Sequence, residues 1–196
     1  PTLRSPTLAA GSVSPGPQPP PPAPEPQPET PLPRWGFMTG FCGIDSMSFA
    51  AEPSGGVPVA GFDIDPLVRR LWQDRTGLQC WADFYNVLHA VKGGHLDWLK
   101  PKIFMYISGS PCPDFSTAGI GRGLQGRTGG LWLDDCELGV RLGAPVLIRE
   151  MVMGILHLDD GAAFYEAVEA YESAGYVVSW SIRKGTRHGD RTARLR

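Results

Sequence analysis

From Trp35 onward, short apolar runs alternate with segments in which apolar residues recur at helical spacing. Apolar runs bounded by turn residues are typical of buried strands. The predicted strands are, in order, WGFMT, VPVAGFD, QCWAD, IFMYIS, APVLIRE and YVVSWSI. Nearly continuous apolar strands that alternate with helices indicate a parallel sheet covered on both faces. The pattern therefore predicts a doubly wound α/β domain.

The helical segments between these strands include SMSFAAE, PLVRRLWQDR and AAFYEAVEAYESAGY. In the last of them Phe164, Val168 and Tyr171 share one helical face, and Gly175 is positioned to end the helix. We expect these side chains to belong to the core.

Residues 1–33 have a different composition, because proline dominates and large apolar residues are almost absent. Such a segment cannot bury enough surface to offset the entropy lost on ordering. We therefore expect a disordered proline-rich segment over 1–33 and one domain over 34–196. A plain linker with polyproline II stretches is favoured; the alternative is a ligand for a protein that binds proline-rich peptides.

Charge, cysteine content and hydropathy limit the ligands, metal sites and membrane contacts that the sequence can be expected to have. The net charge of -2 hides an asymmetry, since six of the eighteen Lys and Arg residues lie in the C-terminal stretch RKGTRHGDRTARLR, where phosphate groups could bind. The four cysteines form no C-x-x-C pair, which indicates neither a zinc site nor a disulfide framework. No apolar run approaches the roughly 20 residues that a membrane span needs, so we expect no membrane association.

Ligands of doubly wound sheets bind beyond the carboxyl ends of the strands. Gly40 and Gly43 follow the first predicted strand and permit a tight turn and the close approach of backbone N–H groups to a ligand. Asp63 ends the second strand, where an acidic residue can accept both hydroxyls of a ribose. An exposed strand-end carboxylate explains Asp63 equally well when it is taken alone, but the glycine turn favours ribose binding.

Two further aspartates follow the predicted strands. Asp65 starts a helix and can simply cap it. Asp83 ends the third strand and could accept a hydrogen bond from an adenine amino group. A solvated loop carboxylate is the better interpretation of Asp83 when it is taken alone.

The ends of the fourth and fifth strands carry reactive groups. Cys112 lies between two prolines directly after the fourth strand, whereas an inert buried cysteine would more naturally lie within it. We interpret Cys112 as a nucleophile held on a stiff loop. Arg149 and Glu150 end the fifth strand, and because strand residues alternate between faces, we do not expect these two side chains to pair.

The order of these motifs resembles that of the cytosine-C5 DNA methyltransferases over essentially all of 34–196. The resemblance rests on FMTGFCG, AGFDID, WADF, SPCPDFSTAG, LIREMV and RHGDRTARLR. It implies a Rossmann-like, S-adenosylmethionine-dependent methyltransferase fold, incomplete at its C-terminus because the family continues with a target-recognition region. It also implies a cytosine-containing DNA as substrate and, from that substrate, the nucleus as location.

The resemblance further implies a role for each matched residue. Cys112 would attack carbon 6 of a cytosine flipped out of its stack, and Glu150 would protonate or hydrogen-bond ring nitrogen 3. Arg194 and Arg196 match an Arg-x-Arg pair that can hold the carbonyl oxygen of the base. At the cofactor, Asp63 would bind the ribose, Ile64 the adenine ring and Asp83 its amino group. The remaining cofactor residues would be Gly40, Phe41, Gly43 and Phe84.

Three departures from the family pattern keep other hypotheses open. Cys42 replaces the usual second glycine of the first motif, Met151 the asparagine after the glutamate, and Thr192 the glutamine before Arg-x-Arg. The alternatives are a catalytically inactive relative that binds nucleic acid or protein, and a tRNA cytosine-5 methyltransferase. A nicotinamide-dependent oxidoreductase ranks last, because GFCGID does not supply G-x-G-x-x-G.

Overall fold

The computed structural model describes residues 33–111, 113–116, 122–126 and 128–188. Its parallel five-stranded sheet has the strand order β3-β2-β1-β4-β5. The strands are β1 (Trp35–Gly40), β2 (Gly56–Phe62), β3 (Cys80–Trp81), β4 (Met105–Ser108) and β5 (Val146–Arg149). The strand order reverses beside β1, which is where ligands bind in open α/β sheets.

Helices connect the strands, as the apolar spacing predicts. They are α1 (Ser46–Ala51), α2 (Pro66–Thr76), α3 (Phe84–Lys92), α4 (Gly129–Leu142) and α5 (Ala162–Ser173). Asp65 starts α2, because its Oδ1 accepts from the backbone N–H groups of Leu67 at 2.8 Å and Val68 at 3.3 Å. The capping role predicted for Asp65 is therefore confirmed. None of the helices in the described ranges is long and apolar enough to cross a membrane.

Both faces of the sheet are buried, which confirms the doubly wound arrangement. Met38 and Tyr106 belong to the core between the sheet and the α3 and α4 helices. Their chain neighbours Phe37 and Ile107 point to the opposite face, where they pack with Ala51 of α1. A further cluster joins α4 to α5, and it includes buried Tyr171 with partly buried Phe164, as the helical spacing predicts.

The strand predicted at YVVSWSI is wrong, because the structure assigns no strand to 176–182. Tyr176 and Val178 pack against the α4–α5 cluster, and Trp180 contacts Phe164 with ring centroids 5.3 Å apart. Val177, which lies between Tyr176 and Val178, is 99% exposed. The alternating pattern thus reports one half-buried face, but a strand also needs a backbone partner, which the pattern cannot supply.

Candidate cofactor and catalytic site

The turn after β1 is joined directly to the end of β2. Phe41 and Gly43 both have a φ of 54°, a left-handed conformation that is strained for a residue with a side chain. The backbone N–H of Gly43 donates to Asp63 Oδ2 at 2.9 Å. The nearest atom to the position of a Cβ on Gly43 is 4.0 Å away, so the space above the turn is open.

The structure explains the glycine at position 40 differently from the sequence. A Cβ at this position would lie 2.5 Å from Tyr106 Oη and 2.7 Å from Phe62 Cζ. The close approach that Gly40 permits is therefore between β1 and the side chains of its neighbouring strands. Space for a ligand lies at Gly43 instead.

Asp63 lies half-buried at the end of β2, and its carboxylate accepts hydrogen bonds from two backbone N–H groups. Its Oδ1 accepts from Asp65 N at 2.9 Å, and its Oδ2 accepts from Gly43 N. Each carboxylate oxygen has two lone pairs, so both can accept a further hydrogen bond from a ribose hydroxyl. Arg69 donates to the carbonyl oxygens of Asp63 at 3.0 Å and Ile64 at 2.7 Å, which fixes the backbone beside the carboxylate.

The other predicted cofactor residues surround this turn. Ile64 is 84% exposed, which leaves an apolar surface beside Asp63. Phe41 stacks on buried Phe84 at a centroid distance of 5.5 Å, so the turn rests on the start of α3. Asp83 is exposed and caps α3, because its Oδ1 accepts from Tyr85 N at 2.8 Å. Carboxylates, an exposed apolar side chain and open space over glycine together fit a nucleoside.

Glu150 lies beside the end of β4. Its backbone N–H donates to Ser108 O at 3.0 Å, which continues the β4–β5 ladder by one residue. A Cβ on Gly109 would lie 3.4 Å from Glu150 Oε2 and 3.3 Å from Met47 Cε. Gly109 therefore leaves room for the Glu150 carboxylate where the chain turns towards Pro111 and Cys112.

Arg149 points to the opposite face from Glu150 and forms a buried ion pair. Its Nη2 lies 2.6 Å from Asp135 Oδ2 of α4, and the two side chains are only 7% and 0% exposed. The guanidinium also lies over the Trp132 ring at 4.5 Å and donates to Tyr171 Oη at 2.8 Å. The prediction that Arg149 and Glu150 do not pair is consistent with this partner.

Asp135 extends the ion pair to β4. Its carboxylate accepts from Ser108 Oγ at 2.9 Å and from Tyr106 Oη. Burial raises the pKa of Asp135, and Arg149 opposes that shift. Burial alone would lower the pKa of Arg149, but Asp135 together with Cys136, Tyr171 and Tyr106 outweighs burial and raises the pKa, so the guanidinium stays charged. The ends of β4 and β5 are thus tied to α4 through one charged pair.

Asp114 and Ser110 lie on either side of Cys112 in sequence. Asp114 is buried, and its Oδ2 accepts from Thr128 N at 2.7 Å before α4 begins. Hydrogen bonds from the Thr128 hydroxyl and backbone hold the pKa of Asp114 below its usual range. Ser110 Oγ is buried and has no hydrogen-bond partner in the part of the chain that the structure describes. A buried polar atom of this kind is suited to a bound molecule or water.

Three predicted catalytic residues, Cys112, Arg194 and Arg196, lie outside the described residues. Sequence reasoning in turn missed Asp135. Its signal was available, since Asp135 is a charged residue on the apolar face that Trp132 and Leu138 define in α4. In the described ranges, no three His, Cys, Asp or Glu side chains are grouped in a way that could hold a metal ion.

The chain belongs to the C-5 cytosine-specific DNA methylase family, which it matches over residues 37–196. It is 26% identical over 154 residues to the type II methyltransferase M.MspI of Moraxella sp, a match that covers 78% of this chain and 35% of that protein. It is 31% identical over 83 residues to the type II methyltransferase M.Bsp6I of Bacillus sp. (strain RFL6), covering 42% of this chain and 26% of that one. The chain therefore spans about a third or less of the length of these relatives.

Solved structures confirm the Rossmann-like methyltransferase fold. A prophage-encoded E. coli protein described as a DNA modification methyltransferase has a TM-score of 0.64 at 18% identity, covering 82% of this chain and 44% of that one. The S. pombe Dnmt2 methyltransferase has a TM-score of 0.57 at 13% identity, covering 83% and 48%. At these identities the likeness is evidence for the fold alone.

Proposed function

We propose that this protein methylates carbon 5 of cytosine in DNA, with S-adenosylmethionine as methyl donor. One observation carries the proposal: Glu150 N donates to Ser108 O, which holds the carboxylate beside the strand end that leads to Cys112. In sequence, a thiol follows β4 and a carboxyl group follows the adjacent strand β5, and these two groups suit nucleophilic attack and proton donation. Membership of the C-5 cytosine-specific DNA methylase family supports cytosine in DNA as the substrate.

The cofactor residues fit a nucleoside, and S-adenosylmethionine contains one and would supply the methyl group when bound. In the proposal Asp63 accepts the ribose hydroxyls, while the exposed Ile64 side chain packs against the adenine ring. Asp83 accepts from the adenine amino group with the carboxylate oxygen that is not capping α3. The Phe41–Phe84 stack and the Gly40 packing contacts hold the turn in place.

The reacting base is activated by the chain's own residues. The Cys112 sulfur forms a bond to carbon 6 of the flipped-out cytosine, and the electron pair of the 5,6 double bond moves to carbon 5. Glu150 donates to ring nitrogen 3 and so stabilises the charge that develops on the ring. Arg194 and Arg196 hold the carbonyl oxygen. That electron pair would form the bond to the methyl group that S-adenosylmethionine would supply. Carbon 5 then loses its proton to a base, the 5,6 double bond re-forms and the Cys112 sulfur leaves.

Covalent trapping tests this proposal. The chain is incubated with S-adenosylmethionine and DNA that contains 5-fluorocytosine, in which carbon 5 has no proton to lose. We expect an adduct that survives denaturation with the native chain and none with Cys112→Ser. Cys112→Ala should lower methyl transfer by more than about 1000-fold while the cofactor Kd stays nearly unchanged. An adduct that persists in Cys112→Ser would contradict the assignment of the nucleophile.

Two alternatives have their own outcomes in the same assay. An adduct with tRNA that contains 5-fluorocytosine, and none with DNA, would identify a tRNA cytosine-5 methyltransferase. A catalytically inactive relative that acts as an interaction module would form no adduct and bind no S-adenosylmethionine, yet would retain salt-sensitive DNA binding.

The proposal extends to organisation and location. We propose that residues 34–196 are a partial catalytic domain and that residues 1–33 are a linker. The alternative for 1–33 is binding to a protein that recognises proline-rich peptides. A DNA substrate also leads us to propose the nucleus as location.

A further inference from the structure

Two cysteines that are distant in sequence meet beneath the turn after β1. Cys42 lies in that turn and Cys80 begins β3, and both are buried in one apolar cluster with Trp72. They are reduced in the structure. Neither thiol has a part in the proposed methyl transfer, so their proximity calls for a separate explanation.

Gly61 of β2 brings the two thiols together. Gly61 pairs with Cys80 in the parallel ladder, so the Cys80 side chain leaves the sheet on the face where a Gly61 side chain would lie. A Cβ on Gly61 would be 3.0 Å from Cys42 Sγ. The Cys42 thiol and the Trp72 indole, which is 2.9 Å from the same Cβ position, therefore occupy the space that a side chain at position 61 would fill. Because β2 lies between β1 and β3 in the sheet, the two thiols approach each other across Gly61, which has no side chain.

The two thiols have different environments. Cys42 Sγ lies 3.2 Å from Thr39 Oγ1 and 3.3 Å from Phe62 O. Hydrogen bonding from Cys80, together with that from Thr39, lowers the pKa of Cys42 although burial opposes the shift. Hydrogen bonding to Cys42 and burial raise the pKa of Cys80. A thiol with a lowered pKa beside one with a raised pKa fits an attacking and a resolving cysteine.

We propose that Cys42 and Cys80 are a redox-active pair that hydrogen peroxide converts to a disulfide. The Cys42 sulfur attacks one peroxide oxygen, so an S–O bond forms, the O–O bond breaks, and the departing hydroxide takes the Cys42 proton. The Cys80 sulfur then attacks the Cys42 sulfur. The S–S bond forms, the S–O bond breaks, and the hydroxyl leaves as water with the Cys80 proton. Two thiols and one peroxide thus give one disulfide and two waters.

The disulfide also changes the turn that carries Gly43. Oxidation removes the thiol hydrogen that Cys42 can donate to Phe62 O, and it draws the turn towards β3. The Gly43–Asp63 hydrogen bond lies in the same turn, so oxidation should weaken cofactor binding. This consequence rests on the proposed function, whereas formation of the disulfide does not.

Peptide mapping of the full chain tests the disulfide. The protein is treated with hydrogen peroxide, its remaining thiols are alkylated, and tryptic peptides are analysed by mass spectrometry. We expect peptide 35–69 linked to peptide 76–92, with the loss of two hydrogen atoms and reversal by dithiothreitol. Failure to find this linkage in the native chain would overturn the proposal.

Single variants provide matched controls. Cys136→Ser removes a buried cysteine outside the Cys42–Cys80 cluster and should leave the linkage unchanged. Cys80→Ser should abolish it and leave Cys42 as a sulfenic acid that dimedone traps. Dimedone labelling at Cys112 alone, with Cys42 unmodified, would contradict the assignment of Cys42 as the attacking thiol.

Calorimetry with S-adenosylmethionine separates the two proposals. We expect the Kd of the oxidised chain to be at least about tenfold higher than that of the reduced chain. Equal Kd values in both states would refute the effect on the turn. If the reduced chain binds no S-adenosylmethionine, the proposed function fails, while peptide mapping still decides whether the disulfide forms.

Discussion

The two sides of the proposed site are built in opposite ways. At the ends of β1 to β3, Asp63 and Asp83 accept hydrogen bonds from backbone N–H groups near the surface. Asp63 stabilises the turn after β1, and Asp83 stabilises the start of α3. At the ends of β4 and β5, Asp135 of α4 binds Arg149 and Ser108 with no solvent exposure of its own side chain.

The two sides therefore owe their geometry to different kinds of interaction. Capping and turn hydrogen bonds typically stabilise by about 1 kcal/mol each and leave carboxylate oxygens accessible to a ligand. A buried ion pair such as Asp135–Arg149 is costly to separate, because removal of one partner leaves an uncompensated charge. Under the proposed function, cofactor recognition would therefore depend on accessible turns, and alignment of the reacting groups on a long-range buried pair.

The largest effect should follow from Glu150→Gln, which keeps the shape of the side chain and removes its acid. Loss of a general acid typically lowers the rate by about 10²- to 10⁴-fold. We expect kcat for methyl transfer to fall within that range while the Kd of S-adenosylmethionine is unchanged. A raised Kd with normal kcat would show that Glu150 belongs to the cofactor side instead.

Asp135→Asn should cause the largest loss of stability. It leaves the buried Arg149 guanidinium without its counter-charge, which should lower the free energy of unfolding by about 3–5 kcal/mol in urea titration. Asp134→Asn is the matched control on the same helix, and its cost should stay below about 1 kcal/mol. The double variant Asp135→Leu with Arg149→Met should recover part of the loss. Equal costs for the Asp135 and Asp134 variants would contradict the structural role of the buried ion pair.

Asp63→Asn should weaken cofactor binding. Because an amide has one accepting atom where the carboxylate has two, the variant should also lose one of the two backbone hydrogen bonds, which should cost about 1 kcal/mol of stability. Hydrogen bonds to a charged acceptor contribute about 1.5–3 kcal/mol, so the Kd of S-adenosylmethionine should rise about 10- to 100-fold in calorimetry. Asp65→Asn is the control, because asparagine caps helices as well as aspartate does. If the Asp65 variant matched the Asp63 variant, the effect would belong to the turn and not to the ribose contact.

The smallest expected effect is on the stability of the fold at low pH, to which Asp114 contributes. Its pKa is lower in the folded chain than in the unfolded chain, so its carboxylate stabilises the fold at any pH above its unfolded value. That stabilisation disappears as the pH falls through the folded pKa, below about 4. We expect Asp114→Asn to flatten this part of the stability–pH curve in acid titrations followed by circular dichroism. An unchanged curve would mean that the hydrogen bonds to Thr128 do not favour the charged form.

Local patterns in the sequence determined much of the fold. The apolar runs predicted five strands that the structure confirms, because buried strands need continuous apolar side chains. Asp65 indicated a helix start from its own chemistry. Alternation along the fifth strand predicted that Arg149 and Glu150 face opposite ways. Each of these inferences needs only residues close together in the chain.

Contacts between residues that are far apart in sequence depend on the tertiary structure. Asp135 pairs with Arg149, and Cys42 meets Cys80 over Gly61, because helix packing and strand order bring them together. The segment 176–182 shows the converse, since its alternation is real but no strand forms there. A periodic pattern records which face of a segment is buried. The partner on that face depends on how the elements pack, which no single segment encodes.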